Sequence, residues 1–138
     1  SRPLSERRGD GLVLTDCFVT ATARCAPPQN ILLPEEIGNC RSYLLGELEL
    51  LPRLRVIMGL GSIGFRAAVE SLEALEKVAF RKRPAFAHGA EYRSGGISLI
   101  ASYHPSQQNT FTGRLTERMF DRVFRLARRR LDAAEEGP

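Results

Sequence analysis

Apolar residues along the chain recur in two alternating patterns. From Leu12 to Thr22 the sequence LVLTDCFVTAT is rich in β-branched and aromatic residues. It is bounded by Gly9, Asp10 and Gly11 before and by Ala26, Pro27 and Pro28 after, which predicts a strand. Beyond the loop CAPPQN, Pro34, Glu35 and Glu36 mark a helix N-terminus, where proline lacks only a surplus N–H and acidic side chains complement the macrodipole. Ile37, Leu44, Leu45 and Leu48 keep helical spacing until Pro52 stops it. The run RVIMGL, Arg55 to Leu60, predicts a strand buried on both faces, and it leads through Gly61 and Ser62 into a second helical pattern at Ala67, Ala68, Leu72 and Leu75. Arg81 to Pro84 reads as a charged linker, and Gly89, Gly95 and Gly96 punctuate a loop or hairpin. Ile97 to Tyr103 forms a third strand, followed by the polar loop HPSQQNTFTG. Leu115, Met119, Phe120, Val123, Phe124, Leu126, Ala127 and Leu131 then give an amphipathic helix over Arg114 to Leu131, ahead of a fraying tail, DAAEEGP.

Strands alternating with helices predict an α/β sandwich with a mostly parallel sheet and a ligand site in loops at the carboxyl ends of the strands. CAPPQN and HPSQQN occupy such positions. A length of 138 residues with 43% hydrophobic and 26% charged residues fits one globular domain and excludes disordered or collagen-like chains. No apolar run approaches the roughly 18 residues that would span a bilayer, so no membrane role is expected. Eighteen of the twenty basic side chains are arginine and the formal charge is +4, which biases the partner towards polyanions. Three cysteines, an odd number, point to reduced thiols or metal ligation rather than a disulfide framework, and hence to the cytoplasm.

Gly59, Gly61 and Gly64 spell G-x-G-x-x-G after a strand, but Leu75 to Arg83 supplies no acidic strand end to hold a ribose. Close approach of helix and strand is the plainer reading of these glycines, with nucleotide binding as the alternative. Cys25 and Cys40 are too far apart for a zinc knuckle; from spacing they read as structural, with metal ligation as the alternative. Cys17 reads as a small core residue, and His88 as a loop residue before Gly89. His104 opens a loop directly after an apolar strand, where an α/β enzyme would hold a catalytic group, with a structural role, the commoner one for a lone histidine, as the alternative. Cys25, His104 and Asn109 also stand in papain-like chain order, without a helix N-terminus to activate the thiol.

Taken together, RCAPPQN at Arg24 to Asn30, Cys40 after PEE, RVIMGLG, FAHG at Phe86 to Gly89 and YHPSQQNTFTGRLT at Tyr103 to Thr116 resemble the family 5 (type b) uracil-DNA glycosylases, in collinear order through nearly the whole chain. The resemblance implies a three-layer α/β sandwich and an enzyme that flips a deaminated base out of DNA and hydrolyses its N-glycosidic bond, leaving an abasic site. It implies that Asn30 bonds the pyrimidine edge, an amide offering both the donor and the acceptor that uracil needs, with Asn109 also at the substrate. His104 then stabilises the departing base through its O2 as the sugar becomes oxocarbenium-like. Ser106, Gln107, Gln108 and Arg114 fall on DNA contacts, Ser106 to a phosphate, and Phe111 is a candidate wedge in the base stack. Cys25 and Cys40 match the last two of four thiolates that bind a 4Fe-4S cluster, the other two ligands lying outside this chain.

The family's first motif, carrying a water-associated aspartate, and its first cysteine pair have no counterpart here. Asp10, in a turn, and Asp16, mid-strand, are poor substitutes. Ile31, Leu32 and Leu33 also depart from a more polar family stretch. Residues 1–138 are therefore expected to be the C-terminal portion of a glycosylase domain that is a monomer when complete. A noncatalytic DNA-binding fragment or degenerate relative is the competing expectation.

Overall fold

The computed structural model describes residues 6–24, 31 and 33–135. Its elements run α1 (Pro34–Glu49), β1 (Val56–Leu60), α2 (Gly61–Ala74), β2 (Glu91–Ser94), β3 (Ile97–Ser102), α3 (Gln107–Phe111) and α4 (Glu117–Glu135). β3 is central, with β1 parallel on one side and β2 antiparallel on the other. This small mixed sheet differs from the mostly parallel one that the alternation predicts. The reason lies in the β2–β3 connection: Gly95 and Gly96 have φ of +57° and +74°, so two left-handed residues reverse the chain in the tight turn that suits the twist of a hairpin.

α1 starts where the sequence predicts. Pro34 holds the first position, and the Glu36 carboxylate accepts from the Leu33 N–H at 2.9 Å, satisfying one of the exposed donors of the first turn. Cys40, Leu44 and Leu48, each four residues apart, form its buried stripe.

All six residues of β3 are buried. Period-2 alternation sends Leu99 and Ala101, with Tyr92 opposite Leu99, to the face covered by Phe65, Ala68 and Val69 of α2. Fully burying side chains such as Phe65, Leu72 and Leu99 contributes about 1.5–3 kcal/mol each. Gly59 permits this packing, since a Cβ there would lie 2.3 Å from the Phe65 Cα. The first glycine of the G-x-G-x-x-G run thus serves close helix–strand approach.

Ser98, Ile100 and Ser102 point to the opposite face, which Glu91 shares because it pairs with Ile100. There Arg130 of α4 grips the Glu91 carboxylate with two hydrogen bonds of 2.6 and 2.8 Å. These bonds hold the Glu91 carboxyl below its ordinary value against the opposing effect of burial, and Ser98 adds a further bond. Val123 of α4 and Leu115 before it are buried.

Leu12 to Thr22 is not a strand. Asp16 turns left-handed at φ +54° and breaks the extended run, correcting its mid-strand placement. The segment fastens to α1 instead of to a sheet edge: the Thr20 hydroxyl donates to Glu47 at 2.5 Å, Arg24 pairs with Glu47, and the Arg24 guanidinium lies 5.2 Å from the Tyr43 ring centre. Leu12, Val13, Leu14, Phe18 and Val19 remain exposed, and so does Cys17, which is not a core residue. Asp10 sits in a turn as expected, its carboxylate accepting from the N–H groups of Glu6, Arg7 and Leu12.

Candidate functional site

The parallel neighbours β1 and β3 end side by side, Leu60 opposite Ser102, and the next residues along each build the site. After β1 comes Gly61, with φ +79°; a Cβ there would meet the His104 Cβ at 3.4 Å, so a bare glycine leaves the histidine room. After β3 come Tyr103, half-buried, and His104, exposed at the mouth.

The loop after His104 closes on its main chain. The Ser106 N–H and the Asn109 side-chain N–H both donate to the His104 carbonyl, each at 2.8 Å. Ser106 caps the single turn of α3 by accepting from the Asn109 N–H at 3.3 Å, so part of the predicted polar loop is helical. The Asn109 carbonyl in turn accepts from the N–H of buried Leu115 at 2.9 Å, which ties the loop to the core. Asn109 therefore fastens the loop to the His104 carbonyl through one of its two side-chain N–H groups. Gln107, Gln108 and Arg114 are exposed, and Phe111 is 83% exposed, an unusual position for a phenyl ring with water on nearly every side.

Upstream of His104, the Tyr103 N–H donates to His88 Nδ1 at 3.0 Å. The two rings stack with centres 4.9 Å apart and planes 23° from parallel. The Arg114 guanidinium lies 4.8 Å from the same tyrosine ring, a cation–π contact. His88 does lie in a turn before Gly89, as the sequence predicts, yet it belongs to the site, which the sequence reading missed. The available signal was the FAHG motif beside a strand end whose next N–H needs an acceptor.

Cys40 is buried on α1, and its sulfur accepts from the Arg24 N–H at 3.4 Å. Arg24 immediately precedes Cys25 in sequence. A buried sulfur with a main-chain donor suits a thiolate ligand, so Cys40 fits the chemistry of an iron–sulfur site. Among the described residues no group of three or more His, Cys, Asp or Glu is placed to hold a metal. Cys25 and Asn30 lie outside the described residues. No described helix is long and apolar enough to cross a membrane.

The sequence profile of the Uracil DNA glycosylase superfamily matches residues 4–128. The chain is 47% identical over 122 residues to the type-5 uracil-DNA glycosylase of Thermus thermophilus, covering 88% of this chain and 53% of that protein. It is 38% identical over 127 residues to the protein of the same name from Pyrobaculum aerophilum, covering 92% and 53%. The type-5 enzyme of Mycobacterium tuberculosis is 39% identical over 129 residues, covering 92% and 47%. The chain thus spans about half the length of the curated relatives it matches.

Proposed function

Since the chain belongs to the uracil DNA glycosylase superfamily, we propose that it supplies the C-terminal part of an enzyme that flips uracil or another deaminated base out of DNA. That enzyme then hydrolyses the N-glycosidic bond, and the observation that carries the reading is the clamped His104 at the paired ends of β1 and β3. In the complete protein the sheet gains strands and becomes the mostly parallel middle layer of a three-layer sandwich. Support comes from α2 and α4 lying on opposite faces of β3.

The residues then divide the work. His104 projects an imidazole that donates a hydrogen bond to the base O2, where charge accumulates as the bond from sugar C1′ to base N1 breaks and its electron pair leaves with the base. Water adds to C1′, and its proton passes to a group outside this chain. Asn30 reads the Watson–Crick edge: its N–H meets uracil O4 and its carbonyl accepts from N3–H, a pairing that cytosine, with the opposite polarity, cannot make. Asn109 keeps His104 in place and offers Oδ1 to the extruded nucleotide.

The Ser106 oxygen is already an acceptor in the cap, so its hydroxyl proton remains to donate to a phosphate. Gln107 and Gln108 face the minor groove, Arg114 a phosphate, and Phe111 fills the gap left in the stack. Cys25 and Cys40 would supply two thiolates to a 4Fe-4S cluster, whose contribution would be structural, joining α1 to the segment that carries Asn30. The enzyme works in the cytoplasm, a reading supported by its odd number of cysteines.

Release of free uracil from a uracil-containing duplex by the protein bearing this chain, and its loss in His104→Ala and Asn30→Ala, is the test. Salt-dependent duplex binding with no abasic product would overturn the reading and leave a noncatalytic DNA-binding module.

A further inference from the structure

The geometry points to His88 as a positioning residue that sets the main chain leading into His104. Odd-numbered residues of β3 aim their N–H groups at the β2 side, as Ala101 does in donating to the Ala90 carbonyl, and two residues on the N–H of half-buried Tyr103 meets the turn that precedes β2 instead of a strand. Such a donor needs an acceptor, and His88 Nδ1 supplies it at 3.0 Å. A main-chain N–H can only donate, so Nδ1 presents its lone pair and the neutral ring carries its proton on Nε2.

The support under His88 is rigid. Ala87 to Ala90 form a turn closed by the Ala90 N–H to the Ala87 carbonyl at 3.0 Å, with Gly89 at φ +79° in the place where such a turn requires a left-handed residue. The turn is bound to β3 by the Gly89 N–H to the Ala101 carbonyl at 2.8 Å and the Ala101 N–H to the Ala90 carbonyl at 2.9 Å. His88 is therefore anchored to the strand whose end it fixes. Its stack on Tyr103, together with Arg114 on the same ring, links this turn to the loop after α3.

His104 is consequently held from two sides, by His88 through Tyr103 and by Asn109 through its own carbonyl. His88 acts through Tyr103, the residue before His104. Displacing a reacting group by about 1 Å costs on the order of 100-fold in rate, which is the scale of the effect. The kinetic part of this inference rests on the proposed glycosylase reading; the structural part does not.

The test compares His88→Leu, which removes the acceptor, with His88→Asn, whose Oδ1 stands at nearly the position of Nδ1 and restores it. In uracil release by the protein bearing this chain, His88→Leu is expected to lower kcat by about 100-fold with KM little changed. His88→Asn is expected to recover most of the loss. Wild-type kcat in a folded His88→Leu protein, or equal damage in both folded variants, would overturn the role. Nitrogen-15 NMR on the same proteins gives a readout independent of activity: an unprotonated Nδ1 in His88, and a Tyr103 amide that exchanges slowly in wild type and His88→Asn but rapidly in His88→Leu. If wild type releases no uracil, the glycosylase reading fails and the amide alone decides; equal Tyr103 exchange in all three would then reject the positioning role.

Discussion

The Asn109 side chain reaches back five residues to donate an N–H to the His104 carbonyl at 2.8 Å. The contact needs a donor at that spot. Asn109→Asp puts a carboxylate oxygen against a carbonyl oxygen, where two acceptors repel, while Asn109→Ala leaves the carbonyl with one partner instead of two. Both are expected to slow uracil release, by roughly 10- to 100-fold, with Asp no better than Ala. Single-turnover kinetics would show it, and an Asp variant at wild-type speed would refute the assigned contact.

Cys40 and Cys17 differ in burial and in partners. Cys40 is buried and takes the Arg24 N–H, whereas Cys17 is exposed. Cys40→Ser is expected to abolish bound iron and acid-labile sulfide in anaerobically purified protein, and Cys17→Ser to leave both unchanged. Equal iron in the two variants would remove Cys40 from the ligand set.

Arg114 is exposed with its guanidinium 4.8 Å from the Tyr103 ring, at the place proposed for a phosphate contact. Arg114→Gln is expected to weaken duplex binding for all sequences alike and to reduce the slope of log affinity against log salt by about 1. Titrations at several salt concentrations measure this directly; an unchanged slope means that Arg114 meets no phosphate.

Glu91 has its carboxyl pKa lowered from the ordinary 4.5, first by the Arg130 hydrogen bonds, against the raising effect of burial and with help from the charge of Arg130. A carboxylate that holds its proton less tightly when folded contributes stability at pH above the unfolded value, and loses that contribution as the pH falls through the folded one. Glu91→Gln is therefore expected to melt several degrees below wild type at pH 7, with the gap closing in acid below the folded pKa. Parallel melting curves across that range would show that the pair contributes nothing to stability.

Gly59 lies where any side chain meets main chain, 2.3 Å from the Phe65 Cα and 2.7 Å from its nitrogen. Neither atom is the movable end of a side chain. Gly59→Ala is expected to destabilise the fold by about 3 kcal/mol through overpacking, read as a lower urea midpoint. Gly38, on α1 with nothing near a built Cβ, is the matched control, and Gly38→Ala is expected to be neutral or mildly stabilising.

Local pattern was enough for much of the molecule. Pro34 with two glutamates placed the start of α1, the apolar run before Gly61 gave β1, and the amphipathic helical spacing with arginines on its polar face gave α4. Each signal is carried by residues within one or two turns of one another, which is the range over which propensity and burial period act. The motif around His104 likewise marked a site at a strand end, and its family resemblance agrees with the superfamily match over residues 4–128.

Leu12 to Thr22 shows where that range ends. Its composition is that of a strand, but a strand exists only if another backbone edge accepts its hydrogen bonds, and here Thr20 and Arg24 turn to α1 instead. The antiparallel β2–β3 pairing depended on both Gly95 and Gly96 being left-handed, the burial of Cys40 beside Arg24 on a helix packing against α2, and the service of His88 to Tyr103 on a fifteen-residue return of the chain. The sequence by itself determined α1, β1, α2, β3 and α4, whose apolar patterns are local, and pointed to His104 at a strand end. Only the tertiary structure decided which strand edges and orphaned N–H groups found partners, because those partners are set by packing between segments distant along the chain.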